Sequence, residues 1–306
     1  MRVLRGLSTP APAETVLTIG NFDGVHVGHR ALLAHLREVG AARGLLPAVL
    51  TFEPHPREFF APNAAPARLS TLREKLELLA EDGVQLACVC HFNAAFAALT
   101  ACAFIEQVLV RTLRVRHLVV GDDFRFGADR VGDFALLQQA GERHGFTVAT
   151  LDSVLVDGQR ASSSGVREAL AAGDLESAAQ QLGRPYVMDG RVVHGDKIGR
   201  QLGFHTANIR IKHDPLPLSG VFAVEVAGLG PQPLPGVANL GRRPTVGGVR
   251  SLLEVHLFDF NRDIYGAHLT VRFRHKLRAE QKFPNFDALR EQIARDVVEA
   301  RAYFQN

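Results

Sequence analysis

Over roughly the first 180 positions, apolar residues follow two alternating rhythms. Short β-branched runs at 16–19, 47–52, 84–90, 117–120 and 147–151 predict strands. Between them, apolar residues spaced three and four apart predict helices over 29–39, 72–80, 103–113 and 134–144. Strand–helix alternation builds a parallel sheet with helices on both faces. Such sheets bind ligands beyond the carboxyl ends of their strands, where the loops 20–28, 53–57 and 121–127 should converge.

The rhythm changes near Gly183-Arg184-Pro185. Short strand-like runs follow at 186–194, 220–227, 232–240, 252–260 and 269–273, which predicts a small antiparallel barrel. The last stretch, 286–304, has helical spacing through Leu289, Ile293 and Val297 and should pack across that barrel. Two domains are expected, 1–183 and 184–306, in keeping with a 306-residue chain.

Composition narrows the function classes. Apolar content of 46% and charged content of 22% are those of a globular protein, and the net charge is only +3. The chain has no dense basic stripe with interleaved aromatics, so no nucleic-acid partner is expected. It has no apolar run of membrane-spanning length and no signal core after Met1, so a cytoplasmic enzyme without a membrane partner is expected. No obligate protein partner is evident. Cys88, Cys90 and Cys102 lie in apolar surroundings and should be buried reduced thiols.

Candidate chemistry concentrates in a few blocks. The run Gly20-Asn21-Phe22-Asp23-Gly24-Val25-His26-Val27-Gly28-His29 directly follows the first strand and opens the first helix. A glycine-rich loop leading into a helix N-terminus presents backbone N–H groups to an anion such as phosphate. Two histidines three apart share one side of that helix; the same spacing also suits a pair of metal ligands, although no third ligand stands out. Ser162-Ser163-Ser164 with Arg167 one turn on could grip phosphate or simply cap a helix. No P-loop occurs in the chain. The loop Gly195-Asp196-Lys197-Ile198-Gly199-Arg200 is glycine-bounded and cationic. In the run 253–258, Leu253, Val255 and Leu257 alternate with Glu254, His256 and Phe258, so Glu254 should face away from the barrel interior.

These blocks, taken in order, resemble the bifunctional riboflavin kinase/FMN adenylyltransferases, the prokaryotic FAD synthetases. The matching stretches are GNFDGVHVGH at 20–29, TFEPHP at 51–56, VVGDDFRFG at 119–127, SSSGVR at 162–167, GRVVHGDKIGRQLGFHTANI at 190–209, GVANLGRRPTVGG at 236–248 and LEVHLFDF at 253–260. The resemblance implies a Rossmann-like nucleotidyltransferase domain followed by a small β-barrel riboflavin kinase domain with a C-terminal helix. It implies riboflavin, FMN and ATP as substrates, with Mg²⁺ as cofactor. By the same resemblance His26, His29 and Arg167 serve adenylyl transfer and Glu254 is the base of the kinase. Nucleotide contacts fall to Gly20, Asn21, Phe22, Asp23, Gly24, Gly28, Ser163, Ser164, Gly195, Lys197, Gly199 and Arg200. Flavin contacts fall to His55, Asp123, Phe124, Asn239 and Arg243, and Mg²⁺ to Thr206 and Asn208. The family usually has Pro where this chain has His205, and Thr where it has Ser164. Two rival readings share some of these features: a nucleotidyltransferase for another phosphorylated acceptor, and a flavin-binding regulatory module without turnover.

Overall fold

The computed structural model describes the chain except residues 122, 196–202, 246–247 and 306, and except the side chains of 243–250. The chain packs as two compact units, Met1–Pro66 with Leu72–Ala161, and Ala67–Thr71 with Ser162–Asn306. Packing thus divides the chain at Ala161, whereas the sequence texture changes at Gly183. The intervening helices α7 (Ser163–Ala172) and α8 (Leu175–Leu182) place Val166, Leu170, Ala178 and Leu182 in the apolar cluster of the second unit.

The first unit is built on a six-stranded sheet in the order β1-β4-β3-β2-β5-β6, with every pairing parallel. Its strands are β1 (Arg2–Arg5), β2 (Thr15–Ile19), β3 (Leu46–Glu53), β4 (Leu86–His91), β5 (Val115–Val120) and β6 (Thr147–Thr150). Helix α1 (Val27–Arg43), the short α2 (Pro56–Phe60), α3 (Leu72–Glu81), two single turns α4 (Ala94–Ala97) and α5 (Ala101–Ala103), and α6 (Phe134–His144) connect them. Helix α5 runs into a π-helical stretch over Phe104–Thr112. All five residues of β2 are buried, as expected of a strand covered on both faces. Leu17, Leu50 and Leu118 enter one apolar cluster, while Val16 and Val119 join Leu36 on the other face. Burying each such side chain stabilises the fold by roughly 1.5–3 kcal/mol.

Strand order reverses at β2. The chain proceeds to β3 and β4 on one side, then returns to β5 and β6 on the other. Strand β2 therefore lies at the topological switch point, where a crevice opens beyond the carboxyl ends. The loop 20–26 leaves β2 at that place.

In the second unit β9 (Val187–Val193), β10 (Ala207–Arg210), β11 (Gly220–Ala227), β12 (Leu234–Thr245), β13 (Gly248–Leu257) and β14 (His268–Arg278) close into an antiparallel barrel. Leu253, Val255 and Leu257 fill its interior with Phe222, Val224 and Phe273, as the alternation predicts. Helix α9 (Phe286–Gln305) lays Val297, Ala300 and Phe304 on the outward-facing Val221, Ala223 and Val237.

Several details depart from expectation. Strands β1 and β10 were absent from the pattern, and β7 (Leu155–Val156) pairs with β8 (Gln159–Arg160) as a small hairpin. Helix α1 starts at Val27 rather than 29, because His26 takes the capping position. Cys88 and Cys90 are buried free thiols, but Cys102 is exposed on its helical turn. Among the described residues, no helix is long and apolar enough to cross a membrane.

Candidate active sites

The first site sits where β2 gives way to α1. Phe22 (φ 49°), Gly24 (φ 79°) and Val25 (φ 41°) all adopt left-handed backbone, so the loop bends sharply at three points. Such conformations cost about 1–3 kcal/mol each for non-glycine residues and persist only where the surroundings hold them. Phe22 and Val25 are held by burial against Leu33 and Leu79. The bend aims the N-terminus of α1 at the crevice, and its first turn contains no acidic residue to oppose an anion.

The two histidines occupy that N-terminus. Their rings stack with centroids 3.7 Å apart, and the Phe22 ring stands 4.8 Å from His29. His26 Nδ1 accepts the backbone N–H of His29 at 3.4 Å, which leaves Nε2 as the donor nitrogen of a neutral ring. Gly28 makes room for this arrangement, since a Cβ there would lie 3.1 Å from Cε1 of His26. The sequence assigned that glycine to phosphate approach; its neighbour in the structure is the His26 ring. His29 Nδ1 is buried with no hydrogen-bond partner among the described residues. Burial, together with the adjacent His26 and the Lys75 cation, holds the His29 imidazole well below its ordinary pKa, so it is neutral.

The other residues expected in this unit lie on neighbouring loops. Gly20 donates to the carbonyl of Leu50, and the Asn21 carbonyl accepts from Thr51 Oγ1 at 3.3 Å. Asp23 is buried. His55 caps α2, its Nδ1 accepting the backbone N–H of Arg57 while Glu58 closes the reciprocal bond. Asp123 is exposed and pairs with Arg160 at 3.8 Å. Phe124 stacks on buried Phe126 with centroids 5.7 Å apart, so one of its faces is already covered. Lys75, which no sequence pattern singled out, is buried beside this site; a lysine on an amphipathic helix gives no signal of burial.

Ser163, Ser164 and Arg167 belong to the second unit. Ser162 caps α7 by accepting Gly165 N–H at 3.0 Å, and Arg167 Nε donates to the Ala67 carbonyl at 2.6 Å.

The second site lies on the barrel. Antiparallel register sets Asn208 opposite Glu254, Glu254 opposite Asn239, Asn239 opposite Val221, and Val221 opposite Arg278. Directly opposed residues share a face, so this row runs across five strands on the outward side. Thr206, Asn239, Glu254, His256, Arg278 and Glu280 line a cavity of about 310 Å³, walled on one side by Leu289, Ile293 and Asp296 of α9. That volume lies at the lower end for small-molecule sites. Buried Asp296 accepts Arg278 in bidentate fashion at 2.9 and 2.8 Å and Gln292 at 2.9 Å. Burial raises the Glu280 carboxyl above its ordinary pKa, against the opposing pull of Arg278. Gly241 admits this carboxylate, because a Cβ there would collide with it.

A second cavity of about 260 Å³ lies alongside, lined by His205, Thr206, Leu257, Phe260, Arg262 and Tyr265 among others. Thr206 lines both cavities. Gly195 packs against the Asn208 amide so closely that any side chain would displace it. The hydroxyl of Thr206 and the amide oxygen of Asn208 are hard, neutral donors that fit a phosphate-bound Mg²⁺ better than a softer metal. Among the described residues, no cluster of three His, Cys, Asp or Glu forms a metal site. The expected contacts Lys197, Gly199 and Arg200 lie outside the described residues, as does the side chain of Arg243.

Residues 8–165 match the FAD synthetase family and residues 182–304 the riboflavin kinase family. The chain is 54% identical to the bifunctional riboflavin kinase/FMN adenylyltransferase of Escherichia coli (strain K12), covering 99% of this chain and 98% of that one. Against the enzyme of the same description in Haemophilus influenzae the identity is 49%, with full coverage of both. In Pseudomonas fluorescens it is 50%, covering 99% and 97%. A solved structure described as a macrolide-efflux protein from Streptococcus pneumoniae superposes with a TM-score of 0.82 at 28% identity, covering 96% of this chain and 97% of that one.

Proposed function

The chain belongs to the bifunctional riboflavin kinase/FMN adenylyltransferase family, and from that premise we propose how its residues divide two reactions. It converts riboflavin to FMN and FMN to FAD, each with ATP as co-substrate. We assign adenylylation to residues 1–183, counting α7 by its chemistry, and phosphorylation to 184–306. A cytoplasmic location is part of the same reading.

In the kinase site, riboflavin occupies the cavity of Glu254 and Asn239, and ATP the adjoining cavity of Phe260 and Tyr265. The observation that carries this reading is Thr206, which lines both cavities with Glu254 in one of them. Glu254 takes the proton of the terminal ribityl hydroxyl, whose oxygen bonds to the γ-phosphorus as the bond to ADP breaks. A positioned base of this kind contributes typically ~10²–10⁴ in rate. Thr206 and Asn208 would hold Mg²⁺, which when bound supplies neutralisation of phosphate charge. Gly195, Lys197, Gly199 and Arg200 remain the contacts expected from the family's loop, and Arg243 an expected flavin contact.

In the adenylyltransferase site, a phosphate oxygen of FMN bonds to the α-phosphorus and pyrophosphate leaves. The nucleophile is already anionic, so no strong base is needed. The work is orientation and stabilisation of developing charge. His26 donates from Nε2, His29 from its neutral ring, and the start of α1 offers backbone N–H groups through 20–28. Arg167, Ser163 and Ser164 are proposed for the β- and γ-phosphates by family resemblance, and His55, Asp123 and Phe124 for the flavin.

Incubating the purified chain with riboflavin, ATP and Mg²⁺ and separating the flavins chromatographically tests both halves. FMN followed by FAD is expected. Absence of FMN from folded protein would overturn the kinase assignment, and FMN that never proceeds to FAD would overturn the other.

A further inference from the structure

We propose that His117, Thr147 and Arg43 form a pH-sensitive latch on the last turn of α1, which opens when the His117 imidazole takes up a proton. His117 lies two residues before Val119 on β5, so its side chain stands on the sheet face that α1 covers, beside Val16 of β2. It is only 6% exposed. Two groups close over it. Thr147 Oγ1 of β6 lies 2.6 Å from its Nδ1, and Nη1 of Arg43, the last residue of α1, lies 3.4 Å from the same nitrogen. Nη1 also donates to Thr147 Oγ1 at 3.2 Å. A guanidinium has no lone pair to offer, so Nδ1 is the acceptor and the covered ring is neutral, with its proton on Nε2.

The hydroxyl gives this network a second arrangement. With His117 neutral, the Thr147 proton points to Nδ1. With His117 protonated, Nδ1 donates to Thr147 Oγ1 and the hydroxyl proton turns to the Arg116 carbonyl, 3.4 Å away. Arg43 then loses its acceptor on the ring and faces a cation at close range, which is unfavourable. Among the described residues, the charged and titratable groups acting on the imidazole are Arg43 and His35, both from α1. The neighbouring strands β2 and β6 bring Val16 and Thr147, while the Arg116 guanidinium turns to Glu14 at 2.6 Å and to the Gly145 carbonyl at 3.3 Å. Burial first, then Arg43 and His35, hold His117 below its ordinary pKa. The closed latch therefore refuses a proton that the opened latch accepts as pH falls below ~6.5. Release of Arg43 loosens the turn in which the Gly44 and Leu45 N–H groups both bond to the Gly40 carbonyl.

Amide hydrogen exchange of Gly44 and Leu45 in the full-length chain, followed by NMR between about pH 7.5 and 5.5, reads the latch directly. Their protection factors should be constant above ~6.5 and fall about tenfold per pH unit below it, one proton being taken up on opening. They should stay well below those of the β2 amides, which exchange only when the whole unit unfolds. His117→Asn offers Arg43 an acceptor that does not titrate, so this pH dependence should disappear. Arg43→Met, at an exposed position, should raise the midpoint of the His117 imidazole titration by about one pH unit. The proposal is overturned if Gly44 and Leu45 keep pH-independent protection, if they exchange only together with β2, or if Arg43→Met leaves the His117 titration as it is in the parent. Should His117→Asn fail to fold, the Arg43→Met titration decides alone.

Discussion

The two sites of this chain use opposite materials for related chemistry. At the switch point of the sheet, the groups proposed for adenylyl transfer are backbone N–H, two neutral imidazoles and the head of a helix, all donors. On the barrel the groups proposed for phosphorylation are the Glu254 carboxylate, flanked in register by the Asn208 and Asn239 amides, and the Thr206 hydroxyl lining the same cavity as Glu254. The charge of the nucleophile explains the difference. FMN arrives as an anion and needs only to be held against another anion. Riboflavin arrives as a neutral alcohol and needs a group to take its proton. On the proposed assignments, active-site composition follows from the protonation state of the attacking oxygen, even where ATP is common to both.

The largest effect should come from the group that has no counterpart at the other site. Glu254→Gln keeps size and strand register but removes the base, so riboflavin phosphorylation should fall by ~10²–10⁴. FAD formation from supplied FMN should stay within about twofold, since that reaction is assigned to the other site and shares no partner with Glu254. Parallel loss of both activities in a folded protein would end the comparison. Next, His29→Ala removes one donor and should lower FAD formation by ~10²–10³ while FMN formation persists. His29 also gives a pH signature. Its folded pKa is depressed, so as pH falls below ~6.5 the unfolded chain takes up a proton that the folded chain refuses. Stability contributed by neutral burial is present above that pH and lost progressively beneath it. Chemical denaturation between pH 7.5 and 5 should show a steeper decline for the parent than for His29→Ala.

How far these sites were legible depended on whether a residue's role left a pattern. The unit strand–glycine loop–helix at 16–39 declared itself through β-branching, glycine spacing and helical periodicity. Glu254 declared itself by alternation with Leu253 and Val255, both of which fill the barrel interior. Strand β10 did not, because its four residues carry the polar Asn208 and Arg210 and only Ile209 is buried. Strand β1 was hidden similarly, with Leu4 as its one buried residue between arginines. The start of α7 at Ser162–Arg167 was legible but not its place beside the barrel, since an apolar helix face does not say which sheet covers it, and α8 was not read at all. Lys75 and Asp296 read as ordinary polar positions of amphipathic helices; their burial is a property of tertiary packing alone.

A smaller effect tests whether the wall of the Glu254 cavity matters as well as its floor. Arg278 crosses from β14 to Asp296 of α9 and also donates to the Ala279 carbonyl at 3.0 Å, with Phe283 under its guanidinium at 5.7 Å. This single side chain ties the helix to the segment carrying Glu280. Asp296→Asn loses the charge-assisted fork, worth roughly 1.5–3 kcal/mol. The KM for riboflavin should rise about 10- to 100-fold, with the KM for ATP nearly unchanged, as measured by steady-state kinetics. Equal increases in both would mean the strut supports the whole barrel and not one cavity.

The smallest effect concerns Thr206 itself. Its neighbour is His205, so this backbone lacks the ring with which a proline would stiffen it. The structure supplies a different restraint. His256 of β13, two residues from Glu254, donates from Nδ1 to the His205 carbonyl at 2.9 Å, and Phe204 packs edge-on against the same imidazole at 5.5 Å. The strand that carries Glu254 therefore also anchors the peptide beside Thr206, which lines both cavities. His256→Phe preserves the ring and its contact with Phe204 but deletes the hydrogen bond, a loss of ~0.5–1.5 kcal/mol. The KM for ATP in riboflavin phosphorylation should rise by about 3- to 10-fold, and FAD formation from FMN should not change. Adding His205→Pro to that variant should return most of the loss, because proline restores stiffness without needing a donor. A double variant no better than His256→Phe would show that the imidazole acts on the Glu254 cavity it lines, and not through the His205 carbonyl.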